Sequence, residues 1–165
     1  MLELCFFVSN NLFYFYVLNQ INLIIVTIAI VGSRNFNNYK LLETIMSQYL
    51  LDVTQIVTGG AKGADQLGEK WCLDYLNQVP ILIYPDWKNI FQPRAVIKSD
   101  KNGRKYDAMA GIRRNEKIVD QSDLVIAFWD GKSKGTQHVI NYSRKQKKEV
   151  KVVLFEHNTQ LELGF

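Results

Sequence analysis

Gln55-Ile56-Val57-Thr58-Gly59-Gly60-Ala61-Lys62-Gly63-Ala64-Asp65 reads as a buried strand, a glycine-rich turn and the start of a helix. Gly59, Gly60 and Gly63 remove the side chains that would keep a ligand away from the backbone. The following helix offers unpaired N–H groups and a positive dipole end, which together favour an anion. The turn is not a P-loop, because the Lys-Ser/Thr ending is missing. It is not the dinucleotide fingerprint either, because the G-x-G-x-x-G spacing fails. On its own it is equally a plain strand-to-helix connection.

Working outward, the same strand–turn–helix unit recurs. Residues 23–31 form a continuous β-branched run that ends at Gly32, and continuous hydrophobicity marks a strand covered on both faces. Helices are expected over 39–51, 64–77, 107–120 and up to about 147, with strands at 54–58, 81–84, 124–128 and 150–155. Leu67, Trp71 and Tyr75 are spaced for the buried side of the second helix. The stretch 86–106 is polar and longer than a routine connection, as binding loops often are. Strict alternation predicts an α/β fold, a Rossmann-like doubly wound parallel sheet of about five strands with helices on both faces. Ligands of such folds sit at the carboxyl ends of the strands, where strand order reverses.

A chain of 165 residues with 47% hydrophobic content can bury a core without disulfide or metal support, so one domain is expected over 23–156, with a tail at 157–165. Residues 1–22 are apolar and aromatic, interrupted by Asn10, Asn11, Asn19, Gln20 and Asn22, and lack the basic start of a signal peptide. A membrane or export role, an extra packed element and an upstream start codon are the alternatives for them. The whole chain is read as cytoplasmic, without a membrane partner. Cys5 and Cys72 have no metal-ligand spacing, so no structural zinc is expected, and no other metal or cofactor is assigned. The formal charge of +4 suits anionic ligands but is too mild to argue for nucleic acid. The basic run Arg144-Lys145-Gln146-Lys147-Lys148 fits a solvated helix end.

Three turns at strand ends supply the candidate binding residues. In the first, Gly32 permits a sharp turn, Ser33 offers a hydroxyl, and Arg34 can pair with a phosphate oxygen. In the second, Ala61 belongs to the glycine-rich backbone, and Asp65 either caps the helix or binds a ribose hydroxyl. In the third, Ser133, Gly135 and Thr136 precede a helix, and Asp130 is placed to orient a ribose. Gly111-Ile112-Arg113-Arg114-Asn115 adds cations on a helix, with Ile112 and Val119 as core positions; Arg113 and Asn115 are the candidates taken from it. Trp87 is either a base-stacking residue or a lid on the core. His138 and His157 fit no nucleophile–base pattern, so no catalytic residue is assigned.

Together, Ile30-Val31-Gly32-Ser33-Arg34, Thr58 to Asp65, Ala110 to Asn115 and Phe128 to Thr136 resemble the YspA/YpsA-related branch of the SLOG superfamily. That superfamily also holds the DNA-processing protein of transformation and the LOG phosphoribohydrolases. The resemblance spans 24–154 and implies a Rossmann-like fold that binds nucleotides or nucleotide-derived signals of the ADP-ribose kind, in a branch linked to phages and bacterial conflict. LOG enzymes place a catalytic Glu after a Pro-Gly-Gly-x-Gly-Thr turn. Here Gly135-Thr136 is kept, but Gln137, His138 and Val139 follow, so the acid–base carboxylate is missing. The expected protein therefore binds a nucleotide-type small molecule and self-associates. Nucleotide hydrolysis and single-stranded DNA binding are the alternatives, with nucleic acid the less favoured partner.

Overall fold

Val26–Gly32 (β1) and Leu124–Trp129 (β6) lie side by side at the centre of a five-stranded sheet, with Ile28 opposite Leu124 and Gly32 opposite Phe128. The computed structural model describes residues 26–156. On one side of β1 lies Val53–Thr58 (β2) and beyond it Ile81–Leu82 (β3); on the other side of β6 lies Glu149–Leu154 (β7). The order is β3-β2-β1-β6-β7, and every pairing is parallel. Strand order therefore reverses between β1 and β6.

The helices cover both faces. Tyr39–Met46 (α1) and Ala64–Trp71 (α2) pack on the face carrying Ile28, Ile30, Ile56, Ile126 and Phe128. Ala110–Asp120 (α3) and Lys134–Lys145 (α4) pack on the face carrying Ala29, Val31, Val57, Val125 and Ala127. Residues alternate between two fully covered layers along each central strand, which explains the unbroken hydrophobic runs. The Rossmann-like α/β reading holds in this arrangement.

Several elements are shorter than their sequence patterns. α1 gives way at Ser47–Tyr49 to a 3-10 turn, and α2 to a π turn over Cys72–Leu76 that ends at Asn77 in a left-handed conformation. Trp71 and Cys72 are buried as expected, but Tyr75 is half-exposed and donates its hydroxyl to Glu43. The stretch 86–106 contains part of a small antiparallel hairpin, Ile97–Ser99 (β4) with Lys105–Asp107 (β5). The segment 1–22, the first strand before Val26, His157 and the tail 157–165 lie outside the described residues.

Trp71 is the largest fully buried side chain, with its ring stacked on Tyr75 at 5.2 Å between centroids. Trp71→Ala is expected to cost about 3–5 kcal/mol, the usual range for deleting a buried aromatic. Urea unfolding of both proteins measures this, and a loss below about 1 kcal/mol would contradict the packing described.

Candidate functional site

The loops that follow β1, β2 and β6 meet at the carboxyl edge of the sheet, where strand order reverses. Ser33 continues the β1–β6 ladder by donating its N–H to the Phe128 carbonyl at 2.9 Å. Its buried hydroxyl accepts the Asp130 N–H at 3.2 Å. Gly63 has φ +87°, and a Cβ there would lie 2.4 Å from the Ser33 carbonyl oxygen. Only glycine lets the β2 loop touch the β1 loop at that point.

Two carboxylates hold this edge together. Asp65, buried in the first turn of α2, accepts the N–H groups of Gly59 at 3.2 Å and Ala61 at 3.3 Å on one oxygen. The same oxygen takes Nη1 of Arg114 from α3, also at 3.2 Å. Burial pushes the Asp65 carboxyl up from its ordinary range, against the pull of Arg114 and the two N–H donors. It also pushes Glu69, one turn further on, upward, with the Asp65 charge adding to the effect. The second hub is Asp130, whose Oδ1 accepts from Ser133 N at 2.8 Å and Lys132 N at 3.0 Å, while Oδ2 takes the Asn35 amide at 3.2 Å. Partial burial alone would raise Asp130, but the N–H groups of Ser133 and Lys132, with Ser33 and Asn35, outweigh it and hold the carboxyl at about 2.

Between these hubs lies an open cleft of about 100 Å³. Ala61 and Asp65 bring the N-terminus of α2 to it, and Ser133, Gly135 and Thr136 bring the N-terminus of α4. Arg34 and Arg114 supply two guanidinium groups, Asn115 an amide, and Val31, Gly32 and Val139 the floor. Ser133 caps α4 by accepting the Thr136 N–H at 3.5 Å, the same oxygen takes the Thr136 hydroxyl at 3.0 Å, and Asn115 donates to the Gly135 carbonyl at 3.3 Å. Two helix N-termini and two guanidinium groups facing one small space make a site for an oxyanion.

Of the sequence-predicted residues, the structure thus brings Gly32, Arg34, Ala61, Asp65, Asn115, Ser133, Gly135 and Thr136 to the cleft. Ser33, Gly59, Gly60 and Gly63 stand behind it and shape the loops. Asp130 is engaged by the donors of its own loop and by Asn35 and does not line the cleft. Trp87 lies away from the cleft, against Gly111 and edge-on to Tyr106. Arg113 is turned to the buried Asp107, with which it pairs, and donates to the Arg94 carbonyl at 3.3 Å.

Arg114, which the sequence reading passed over, takes the place given to Arg113. The signal was the helix register. Ala110, Asn115, Ile118 and Val119 are the buried positions, so Val119 faces the core as expected, whereas Ile112 is only partly covered. Arg114 stands four residues from both Ala110 and Ile118, on the inward stripe. Among the described residues there is no cluster of three or more metal-ligating side chains, and no helix is long and apolar enough to cross a membrane.

Comparison with known proteins gives the family and the fold. The family model for DNA recombination-mediator protein A matches residues 9–164. The chain belongs to that family. The match begins at residue 9, inside the segment that the sequence reading set apart, and agrees with the SLOG resemblance, since the DNA-processing protein is part of that superfamily. A curated relative, the uncharacterized SPbeta prophage-derived protein YoqJ of Bacillus subtilis (strain 168), is 25% identical over a match covering 55% of this chain and 70% of that protein. Two solved structures of family members are similar in fold. DNA processing protein A of Helicobacter pylori, described by its single-stranded DNA binding mode, is 20% identical with a TM-score of 0.58, over 84% of this chain and 71% of that one. The Streptococcus pneumoniae protein is 18% identical with a TM-score of 0.61, over 83% of this chain; the match spans about half, 53%, of the pneumococcal chain.

Two outcomes test the geometry. A Cβ on Gly59 would fall 1.4 Å from the Arg114 Nη1 position, while one on Gly135 meets open space. Gly59→Ala is therefore expected to expel Arg114 and lower the melting temperature by several degrees, corresponding to about 1–3 kcal/mol. Gly135→Ala is expected to leave it unchanged or slightly raised, and equal melting temperatures for the two variants would contradict the approach of Arg114 to Gly59. For Asp130, the folded carboxyl lies at about 2, below its unfolded value near 4, so its contribution to stability is complete above about pH 4 and lost as the pH falls towards 2. Asp130→Asn is expected to lower stability at neutral pH and to flatten this part of the stability–pH curve. An unchanged slope between pH 4 and 2 would rule the network out as its source.

Proposed function

We propose that the cleft grips a backbone phosphate of single-stranded nucleic acid, as a binding site and not as a hydrolase. The observation that carries the reading is one of size and charge together. The N-termini of α2 and α4, with Arg34 and Arg114, face a space of about 100 Å³. Pockets that enclose a whole small ligand run from roughly 300 Å³ upward, so a phosphate fits here while sugar and base extend into solvent. Such a grip recognises the backbone and leaves the base edges unread. Membership of the DNA recombination-mediator family supports this reading, as does the single-stranded DNA binding that the Helicobacter pylori protein is described by.

Hydrolysis finds less support. Asp65 is the only carboxylate among the cleft-lining residues, and one of its oxygens already serves three N–H donors. A general acid or base needs a carboxyl free to exchange a proton with the substrate. A second binding reading, a nucleotide-derived signal of the ADP-ribose kind, is favoured by the Asn115 amide and the Thr136 hydroxyl beside the phosphate space, which suit a ribose. Both readings place a phosphate in the same spot.

Fluorescence anisotropy with a labelled thymidine oligonucleotide tests the proposal. Arg34 is exposed, so Arg34→Ala leaves the fold intact, and removing its charge-assisted hydrogen bonds to phosphate is expected to weaken binding about 10- to 100-fold. Affinity is also expected to fall steeply with salt. Displacement of the oligonucleotide by micromolar AMP or ADP-ribose would favour the signal reading. Equal affinity of the wild type and Arg34→Ala, with no salt dependence, would overturn the proposal.

A further inference from the structure

The chain's surplus of positive charge lies outside the cleft but beside it, in the connection between β3 and α3. Residues 86–106 hold six basic side chains and two acidic ones, Asp86 and Asp100. That surplus of four equals the formal +4 of the whole chain, so the remaining residues balance to zero. Arg94 pairs with Glu116 and Arg104 with Asp100. The other four cations, Lys88, Lys98, Lys101 and Lys105, are exposed and make no ion pair among the described residues.

Aromatic rings share this segment. Lys98 on β4 lies directly across from Tyr106 on β5, and Tyr106 meets Trp87 edge-on at 6.5 Å between ring centroids. One face of the hairpin therefore presents a cation beside two rings. Phe91 is 93% exposed and Trp87 43%, which water does not favour for large apolar groups without a partner.

This surface is held in place. Asp107 is fully buried and accepts the N–H groups of Val96 and Met109, each at 2.9 Å, on one oxygen, while Arg113 pairs with the other. Its own N–H goes to the Trp87 carbonyl at 2.9 Å, and Ala108 N–H to Val96 at 2.8 Å. The hairpin is thus tied to the first turn of α3. It also adjoins the cleft: Arg114 lines both the cleft and a second depression shared with Tyr84, Asp86 and Gln92. Tyr84 packs over Gly60 of the glycine-rich turn and is 64% exposed.

We infer that the β3–α3 connection is a second nucleic-acid contact surface, a track along which a single strand leaving the cleft runs over Tyr84, Trp87 and Phe91 with its phosphates against the four unpaired lysines. The inference rests on the proposed phosphate site for the starting point of that path. Rings interleaved with cations fit single strands, because every base has a face to stack while the cations follow the backbone. The anchoring by Asp107 means that little ordering entropy is lost on binding.

The test compares a short thymidine oligonucleotide of about three nucleotides, which reaches only the cleft, with one of about fifteen. The quadruple variant Lys88→Ala, Lys98→Ala, Lys101→Ala, Lys105→Ala changes exposed side chains only, and circular dichroism checks its fold. It is expected to bind the long strand at least tenfold more weakly, with the salt slope reduced by about 0.7 for each phosphate no longer neutralised, and to bind the short one as the wild type does. Phe91→Ala is expected to weaken the long strand about tenfold at unchanged salt slope, the mark of stacking. If a folded quadruple variant keeps the wild-type affinity and slope for the long strand, the inference is overturned. Binding of the wild type to phosphatidylserine vesicles without any gain in affinity from short to long strand would overturn it in favour of a lipid surface. Should Arg34→Ala leave both strands unaffected while the quadruple variant loses the long one, the cleft proposal fails and the hairpin surface stands.

Discussion

The Asp65–Arg114 pair is the constraint on which this molecule's upper edge depends. One carboxylate oxygen closes the glycine-rich turn through two backbone N–H groups and takes a guanidinium from the opposite face of the sheet. A buried carboxylate without such partners would not stay charged, and a buried arginine without one would be costly. The geometry leaves little slack, since Gly59 must lack a side chain for Arg114 to reach Asp65. The pair thus fixes three things at once: the shape of the turn, the start of α2, and the position of one cation in the cleft.

Asp130 performs the matching task on the other side, organising its loop and binding it to Asn35 on the first loop. Neither carboxylate needs to touch a ligand to matter for one. Each aligns the N-terminus of a helix, both N-termini line the same small space, and the protein uses its acidic groups to build a basic site. That division of labour also accounts for the weak case for hydrolysis, because the carboxylates best placed for chemistry are held by the backbone.

The architecture was legible in the sequence because its signals are local. Uninterrupted β-branched runs fit strands covered on both faces, and a glycine-rich turn after such a strand marks the ligand edge. The ends of elements were less legible: the π turn after Trp71 and the shortness of β3 follow from packing that no propensity expresses. Residues picked from the three loops by their place at strand ends do line one cleft. Adjacent arginines differ by about 100° around a helix, so composition does not separate them; the structure brings Arg114 to the cleft and turns Arg113 to Asp107. Asp107, which decides where Arg113 points, was invisible as a partner, since its role arises from a hairpin inside a stretch that read as a loop.

The cleft draws its lining from Val31 at one extreme to Val139 at the other, with contributions from the loops after β1, β2 and β6 and from α3. No single segment of the chain contains it, so it comes into being only when the sheet has assembled across its switch point. Anything bound there is linked by mass action to the folded state of the whole domain and not to one loop. Occupancy then adds RT ln(1 + [L]/Kd) to the unfolding free energy, about 2.7 kcal/mol at a hundredfold excess over the dissociation constant. For a domain of this kind, a loaded site and an empty one differ in lifetime as well as in content.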